Sequence, residues 1–391
     1  MKKFFSLLLV AILIAAGCSD NPLSNMGFPG MGNYSYQVEN ELRNWDLVVM
    51  DFGEFGPRRA QIYRYKLPDT ENREVLADSV FGFYEIKASH DGRYIAYLRD
   101  NSPEGAIEHV QKIAIYDLKD NIELKTDVDD IVYHSFTMAW SPNENNLLIT
   151  NRAPGVEKTT MRILSVETMQ VDEILEKSSI LYPEWSSDGT HISFMEYQSF
   201  DVGDSALGNI VDVSTGAVTT ITDGLLLFSN LKWSGKGNRL FFVEIFDERF
   251  YLSSISPDGS DVARLIKGRV FEPDDHGSFP GIIGPLPVHD RSVSVYPNGD
   301  YLNVHNFGFI SDNSSYRVLV DVNNQRVNRF LRDFVYHSNV LYAPDGRLSY
   351  KRGKYEQETF PHVYVSLPNG NQLTQLIRTL ASGGEVLVPK F

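Results

Sequence analysis

Six times along this chain an apolar run enters a tight polar turn and a second apolar run leaves it. The clearest copy is Pro183-Glu184-Trp185-Ser186-Ser187-Asp188-Gly189-Thr190-His191-Ile192-Ser193-Phe194. Asp-Gly between apolar runs signals a hairpin, because both central residues tolerate positive φ. The other copies centre on Ala88-Ser89-His90-Asp91-Gly92, Trp140-Ser141-Pro142-Asn143-Glu144, Trp233-Ser234-Gly235-Lys236-Gly237, Val295-Tyr296-Pro297-Asn298-Gly299 and Tyr342-Ala343-Pro344-Asp345-Gly346. Trp140, Trp185 and Trp233 share one repeat position, and Tyr342 holds it in the last copy. Successive turns lie 52, 45, 48, 62 and 47 residues apart.

That period leaves room for about four strands per unit, which predicts an all-β chain folded as a β-propeller of four-stranded blades. The third unit shows the succession: Leu181 to Ser186, His191 to Tyr197, Gly208 to Ser214, then Ala217 to Thr222. Ahead of the first full unit, Trp45 to Met50, Ala60 to Leu67 and Arg73 to Leu76 read as the last three strands of a blade without its first. Glu385 to Val388 supplies the missing strand, so the N- and C-terminal strands pair and close the ring. Six full units and the composite one predict seven blades; six blades with 45–80 packed outside is the alternative. Residues 45–391 form one domain on this reading. An insertion at 271–290, rich in proline and glycine, is too long for a routine connection.

Residues 1–17 read as a targeting segment, with Lys2 and Lys3, an apolar core from Phe4 to Ile14, and Ala15-Ala16-Gly17 before Cys18. The apolar core is shorter than the roughly 20 residues of a spanning helix. Cys18 is the one cysteine of the chain, which leaves an exported protein without disulfides. Residues 18–44, rich in Gly, Asn, Ser and Pro, read as a flexible tether. A formal net charge of −15 argues against nucleic acid as a partner.

Ala15-Ala16-Gly17-Cys18 resembles the lipobox of bacterial lipoproteins, with Ala15 where leucine is usual. The resemblance implies lipidation of Cys18 and a membrane tie through the lipid alone. Ser19, rather than aspartate, follows Cys18, which by the sorting rule of some Gram-negative bacteria implies the outer membrane. The pattern Trp-Ser-x-Asp-Gly-x-x-Ile-x-Phe at Trp185 to Phe194 resembles the TolB-like propeller repeat, with weaker copies from about residue 84 to 378. It implies that the anchor aromatic packs between blades and that the Ser and Asp bond to the turn backbone. Such anchors (Asp91 and Gly92, Asp188 and Gly189, Asp345 and Gly346 among them) build the fold and say little of activity.

Catalytic motifs are missing from the sequence. It holds no Gly-x-Ser-x-Gly elbow, phosphate loop or His-Glu-x-x-His, and one cysteine cannot build a thiolate metal site. Asp127 to Asp130 and Asp274 to His276 lack the spacing of a calcium loop and read as solvated acidic loops. No cofactor or metal is expected. One coincidence remains: His134, His289 and His337 each precede an innermost strand, and Asp129, Asp130 and Asp333 fall in the same class of loop. These residues are predicted to gather at one mouth of the channel. The leading expectation is a non-catalytic, membrane-anchored propeller that binds a protein or peptide in the bacterial cell envelope. The alternative is an oligosaccharide-binding protein or lyase-like enzyme using the mouth histidines.

Overall fold

The computed structural model describes residues 38–51, 60–81, 86–100, 111–128, 131, 136–152, 156–197, 205–226, 231–247, 249–270, 293–295, 301–305, 316–321, 326–332, 341–343, 349–353, 362–366, 374–378 and 382–391. Among these residues one short helix, α1 (Val38–Leu42), precedes twenty-eight strands. The first three are β1 (Trp45–Asp51), β2 (Ala60–Lys66) and β3 (Arg73–Val80). Then come β4 (Lys87–Ala88), β5 (Tyr94–Asp100), β6 (Gln111–Asp117) and β7 (Ile122–Lys125). The next four are β8 (Thr137–Trp140), β9 (Asn146–Asn151), β10 (Thr159–Ser165) and β11 (Val171–Lys177). They are followed by β12 (Leu181–Trp185), β13 (His191–Tyr197), β14 (Ser205–Asp212) and β15 (Val218–Leu226). After these lie β16 (Lys232–Trp233), β17 (Leu240–Phe246), β18 (Arg249–Ile255) and β19 (Ala263–Val270). Next are β20 (Val293–Val295), β21 (Tyr301–His305), β22 (Tyr316–Asp321) and β23 (Arg326–Arg332). The last are β24 (Leu341–Tyr342), β25 (Ser349–Gly353), β26 (His362–Ser366), β27 (Thr374–Arg378) and β28 (Ser382–Pro389).

Pairing is antiparallel and follows chain order within each set of four, from β4–β7 through β24–β27. The remaining set runs β28-β1-β2-β3, so the last strand lies beside the first, with Trp45 opposite Pro389 and Val48 opposite Val386. This is the pairing expected between the two ends. A single pair, Val80 with Arg99, joins that set edgewise to β4–β7.

The burial pattern explains the sequence of each strand. β1 lies between two neighbouring sets and is buried from Trp45 to Met50, which accounts for its unbroken apolar run. β7 and β11, at the outer edges, are half-exposed and polar. Apolar clusters fill the joints. Leu148, Met161 and Ile163 meet Trp185, Ile192 and Phe194 across one joint. Across the next, Met195 and Ile210 meet Leu231, Trp233 and Phe242. Ala343, Val363 and Val365 of the last set meet Leu47, Val49, Tyr63 and Leu387 of the first. The strands β28, β4, β8, β12, β16 and β20 lie each beside the next, forming an inner wall.

One boundary needs correction. The sequence extends the tether to residue 44, but Val38 and Leu42 are buried in the joint between the last set and the first. Spaced four apart, both side chains lie on one face of α1. Packed structure therefore begins by Val38.

Candidate functional site

The four described turns between first and second strands, at 89–93, 141–145, 186–190 and 234–239, lie on one face, and their polar groups bond inward. Ser186 Oγ donates to Asp188 Oδ1 at 2.6 Å, and the same carboxylate oxygen accepts the Thr190 N–H at 3.1 Å. The Ser186 hydroxyl in turn accepts the His191 N–H at 2.9 Å. Ser89 and Asp91 repeat this, at 2.6 Å between the side chains and 3.0 Å from Arg93 N to Asp91. Gly92 and Gly189 have φ of 72° and 70°. A Cβ on Gly92 would stand 2.3 Å from Pro389 Cδ, so the turn rests directly on the neighbouring set.

Three aspartates of this face, Asp117, Asp188 and Asp212, are hydrogen-bonded and held below the ordinary carboxylate range. The Ser186 hydroxyl lowers the Asp188 pKa, and hydrogen bonds from Ser214 and Thr215 bring Asp212 to about 2. Burial pushes Asp117 up, but the hydrogen bonds from Arg93 and the turn backbone outweigh it and hold it low. Arg93 grips Asp117 with Nε at 3.0 Å and Nη2 at 2.6 Å from Oδ2, and Nη2 also reaches Asp120 at 2.8 Å.

The repeat tryptophans stitch the inner wall. Trp140 Nε1 donates to the Lys87 carbonyl at 2.9 Å, Trp185 to Ala139 at 3.2 Å, and Trp233 to Glu184 at 3.1 Å. In each case the acceptor precedes the anchor position of the previous set. An indole is required here because phenylalanine lacks the donor and tyrosine carries its hydroxyl on a different axis. Trp185 and Trp233 are buried, while Trp140 is half-buried and stacks on Tyr94 with centroids 6.2 Å apart. The Glu184 side chain adds a second tie across its joint, accepting the Trp233 N–H at 3.2 Å and pairing with the Lys232 ammonium. Tyr342 lies in β24, opposite Ser349.

Half-buried side chains on the inner wall include Lys87, Thr137, Ala139, Tyr182, Glu184 and Lys232. Tyr182 stands out. Its φ is 50°, a left-handed conformation that costs a bulky residue energy, and it precedes Pro183. A register shift between Leu181 and Glu184 marks a bulge at this point of β12. Bulges re-aim side chains and recur beside functional sites. In the sequence, the only signal of Tyr182 is a Tyr-Pro pair inside an inner strand.

The mouth residues expected from sequence, Asp129, Asp130, His134, His289, Asp333 and His337, lie outside the described residues. So do Cys18, Asp345, Gly346 and the 271–290 insertion. The flanks of the first acidic loop are fixed. Val128, Ile131 and Phe136 are buried in one cluster, and the Ile113 N–H donates to Val128 O at 3.0 Å. Among the described residues, no group of three or more His, Cys, Asp or Glu side chains is placed to hold a metal.

No protein-family model and no curated protein matches this sequence. Solved structures do. The propeller domain of the trilobed protease from Pyrococcus furiosus matches with TM-score 0.56 at 15% identity, over 85% of this chain and 93% of that one. The chain is a β-propeller. An oligogalacturonate lyase in complex with manganese matches this propeller with TM-score 0.51 at 14% identity, over 76% of this chain and 77% of that one. TolB from Acinetobacter baumannii matches at 13% identity over 85% and 79%, with TM-score 0.49, too loose a likeness to build on. Identities this low establish the fold alone.

Proposed function

We propose that this propeller is a non-catalytic binding module, anchored through a lipid on Cys18 in the bacterial cell envelope, that holds a protein or peptide partner. The observation that carries the reading is the closed character of the turn face. Asp188 and Asp212 are engaged within their own turns, Asp117 is gripped by Arg93, and Gly92 leaves no room above Pro389. That face is scaffold. Recognition then falls to the opposite rim, where the connections into the inner strands carry Asp129, Asp130, His134, His289, Asp333 and His337. An acid-rich rim suits a basic or polar peptide segment, whose binding weakens with salt. Seven blades and the outer membrane complete the proposal, the first from the seven four-stranded sets and the second from Ser19 after Cys18.

A second reading, an enzyme or binding protein for acidic oligosaccharides, is favoured by the likeness to the manganese-bound oligogalacturonate lyase together with the three rim histidines. One experiment separates the two. The full chain, with Asp129, Asp130 and Asp333 changed to Asn or His134, His289 and His337 changed to Ala, is titrated with oligolysine and with oligogalacturonate plus manganese. Loss of oligolysine binding in the Asn variant, with no uronate cleavage by wild type, supports the peptide reading. Histidine-dependent cleavage to unsaturated products overturns it.

A further inference from the structure

Four inner turns obey one hydrogen-bond rule. The N–H after the anchor residue donates to the carbonyl at the head of the next strand: Ser89 to Tyr94 at 2.9 Å, Ser141 to Asn146 at 2.9 Å, Ser186 to His191 at 2.8 Å and Ser234 to Arg239 at 2.8 Å. In the composite blade the same bond runs from Lys390 N to Asn44 O at 3.0 Å. Trp45 faces Pro389, as Trp185 faces Ile192, so Pro389 holds the anchor position and Lys390 that of the serine. The turn that covalently links these strands elsewhere has no counterpart here. Two remote segments take its place: residues 390–391, and α1 with the two residues after it.

α1 does more than fill the gap. Val38 and Leu42 are 1% and 2% exposed and pack at once with Leu47, Tyr65, Leu67 and Leu387 of the composite blade and with Ala343, Val363 and Val365 of the last blade. Lys390 adds a bond from its ammonium to the Leu67 carbonyl. Five residues are too few for a helix that holds itself in water, so α1 exists only while docked. It is continuous with the sequence upstream of the propeller, a feature that the clusters at the other described joints lack.

We propose that α1 is a latch on the ring-closing joint, through which the upstream segment controls the pairing of β28 with β1. While α1 is docked, the composite blade has a substitute for its missing turn. When load on the upstream chain pulls α1 out, Val38 and Leu42 leave the joint, and β1 and β28 lose the cover at their turn end. The joints between blades that each keep their own covalent turn, such as those around β8–β11 and β12–β15, stay shut.

Hydrogen exchange on the full chain tests this, comparing wild type with Leu42→Asp and with the milder Val38→Ala. Amides of β1 and β28 should exchange at least tenfold faster in Leu42→Asp, with those of β9 and β10 unchanged. Val38→Ala should show the same locality to a smaller degree, which keeps the test informative if Leu42→Asp fails to fold. Equal acceleration in β9 and β10 would make α1 an ordinary piece of core and overturn the proposal, as would unchanged exchange in β1 and β28. For the load itself, unacylated full chain carrying Lys158→Cys is pulled between Cys18 and residue 158. A separate first step confined to 38–44, at lower force in Val38→Ala, is expected. A first rupture elsewhere overturns the latch.

Discussion

The indole nitrogen of Trp185 lies 3.2 Å from the main-chain oxygen of Ala139, across the joint between two blades. Trp185 is therefore both a buried ring and a tie, and the two roles separate by substitution. Trp185→Phe keeps most of the packing and loses the bond, a destabilisation of about 1 kcal/mol. Trp185→Ala also leaves a cavity and should lose about 3–5 kcal/mol. Urea unfolding of the two variants checks both figures, and equal losses would mean that the indole bond contributes nothing.

Gly92→Ala is expected to be costly for its size. The backbone there has φ of 72°, and the new methyl would meet Pro389 at 2.3 Å. Left-handed strain alone is of order 1–3 kcal/mol for a non-glycine residue. The melting temperature should fall, and protease cleavage near β28 should appear before cleavage elsewhere. Unchanged melting would show that Pro389 can yield.

Acid should unfold the protein through the turn-face carboxylates. Asp117, Asp188, Asp212 and Asp258 have folded pKa values below the ordinary one. Stability from such groups is complete above the ordinary aspartate range near pH 4, and is lost as pH falls through the folded values, about 2 for Asp212. Asp46 runs the other way. Burial raises its pKa and Oδ1 has no partner, so its contribution is complete in acid and is lost as pH rises through the raised value. Asp46→Asn should melt higher than wild type at pH 7, with the difference vanishing near pH 4. Melting curves across pH 2 to 8 decide the matter.

Tyr182 poses a test of strain against use. Tyr182→Gly relieves a left-handed conformation that costs about 1–2 kcal/mol while losing a half-buried ring. The two effects oppose, so the net change should stay within about 1 kcal/mol, against about 3–5 for Phe194→Ala in the same blade. If the ring contacts a guest at the channel mouth, oligolysine affinity falls although stability holds. A large stability loss would make Tyr182 plain core.

What the sequence made legible is the chemistry that is local. Asp188-Gly189 and Asp91-Gly92 specify their turns within five residues, and the apolar run of β1 announces burial on both faces. Pairing of β28 with β1 was also readable, because three strands needed a fourth. Relations between blades were less so. That Trp233 reaches Glu184, or that Arg64 of β2 donates to Leu118 O in the next blade at 3.3 Å, depends on distances no short stretch encodes. α1 escaped notice because two apolar residues four apart are too weak a pattern to outweigh the glycines and prolines before them. The mouth residues expected from their loops, His134 and Asp333 among them, lie outside the described residues.

The indole bonds all point the same way. Trp140, Trp185 and Trp233 each reach back to a residue made earlier, so every acceptor is already in place when its tryptophan arrives. Blades three to five can thus be laid down in the order in which the chain emerges, each fastening itself to a neighbour made before it. The composite blade cannot. From the moment β1 is made, one of its edges stands open until the last strand is delivered, more than three hundred residues later. The growing chain must carry that edge, Leu47-Val48-Val49-Met50, until its final residues arrive, and shielding it is a task for whatever meets the protein before its ring closes.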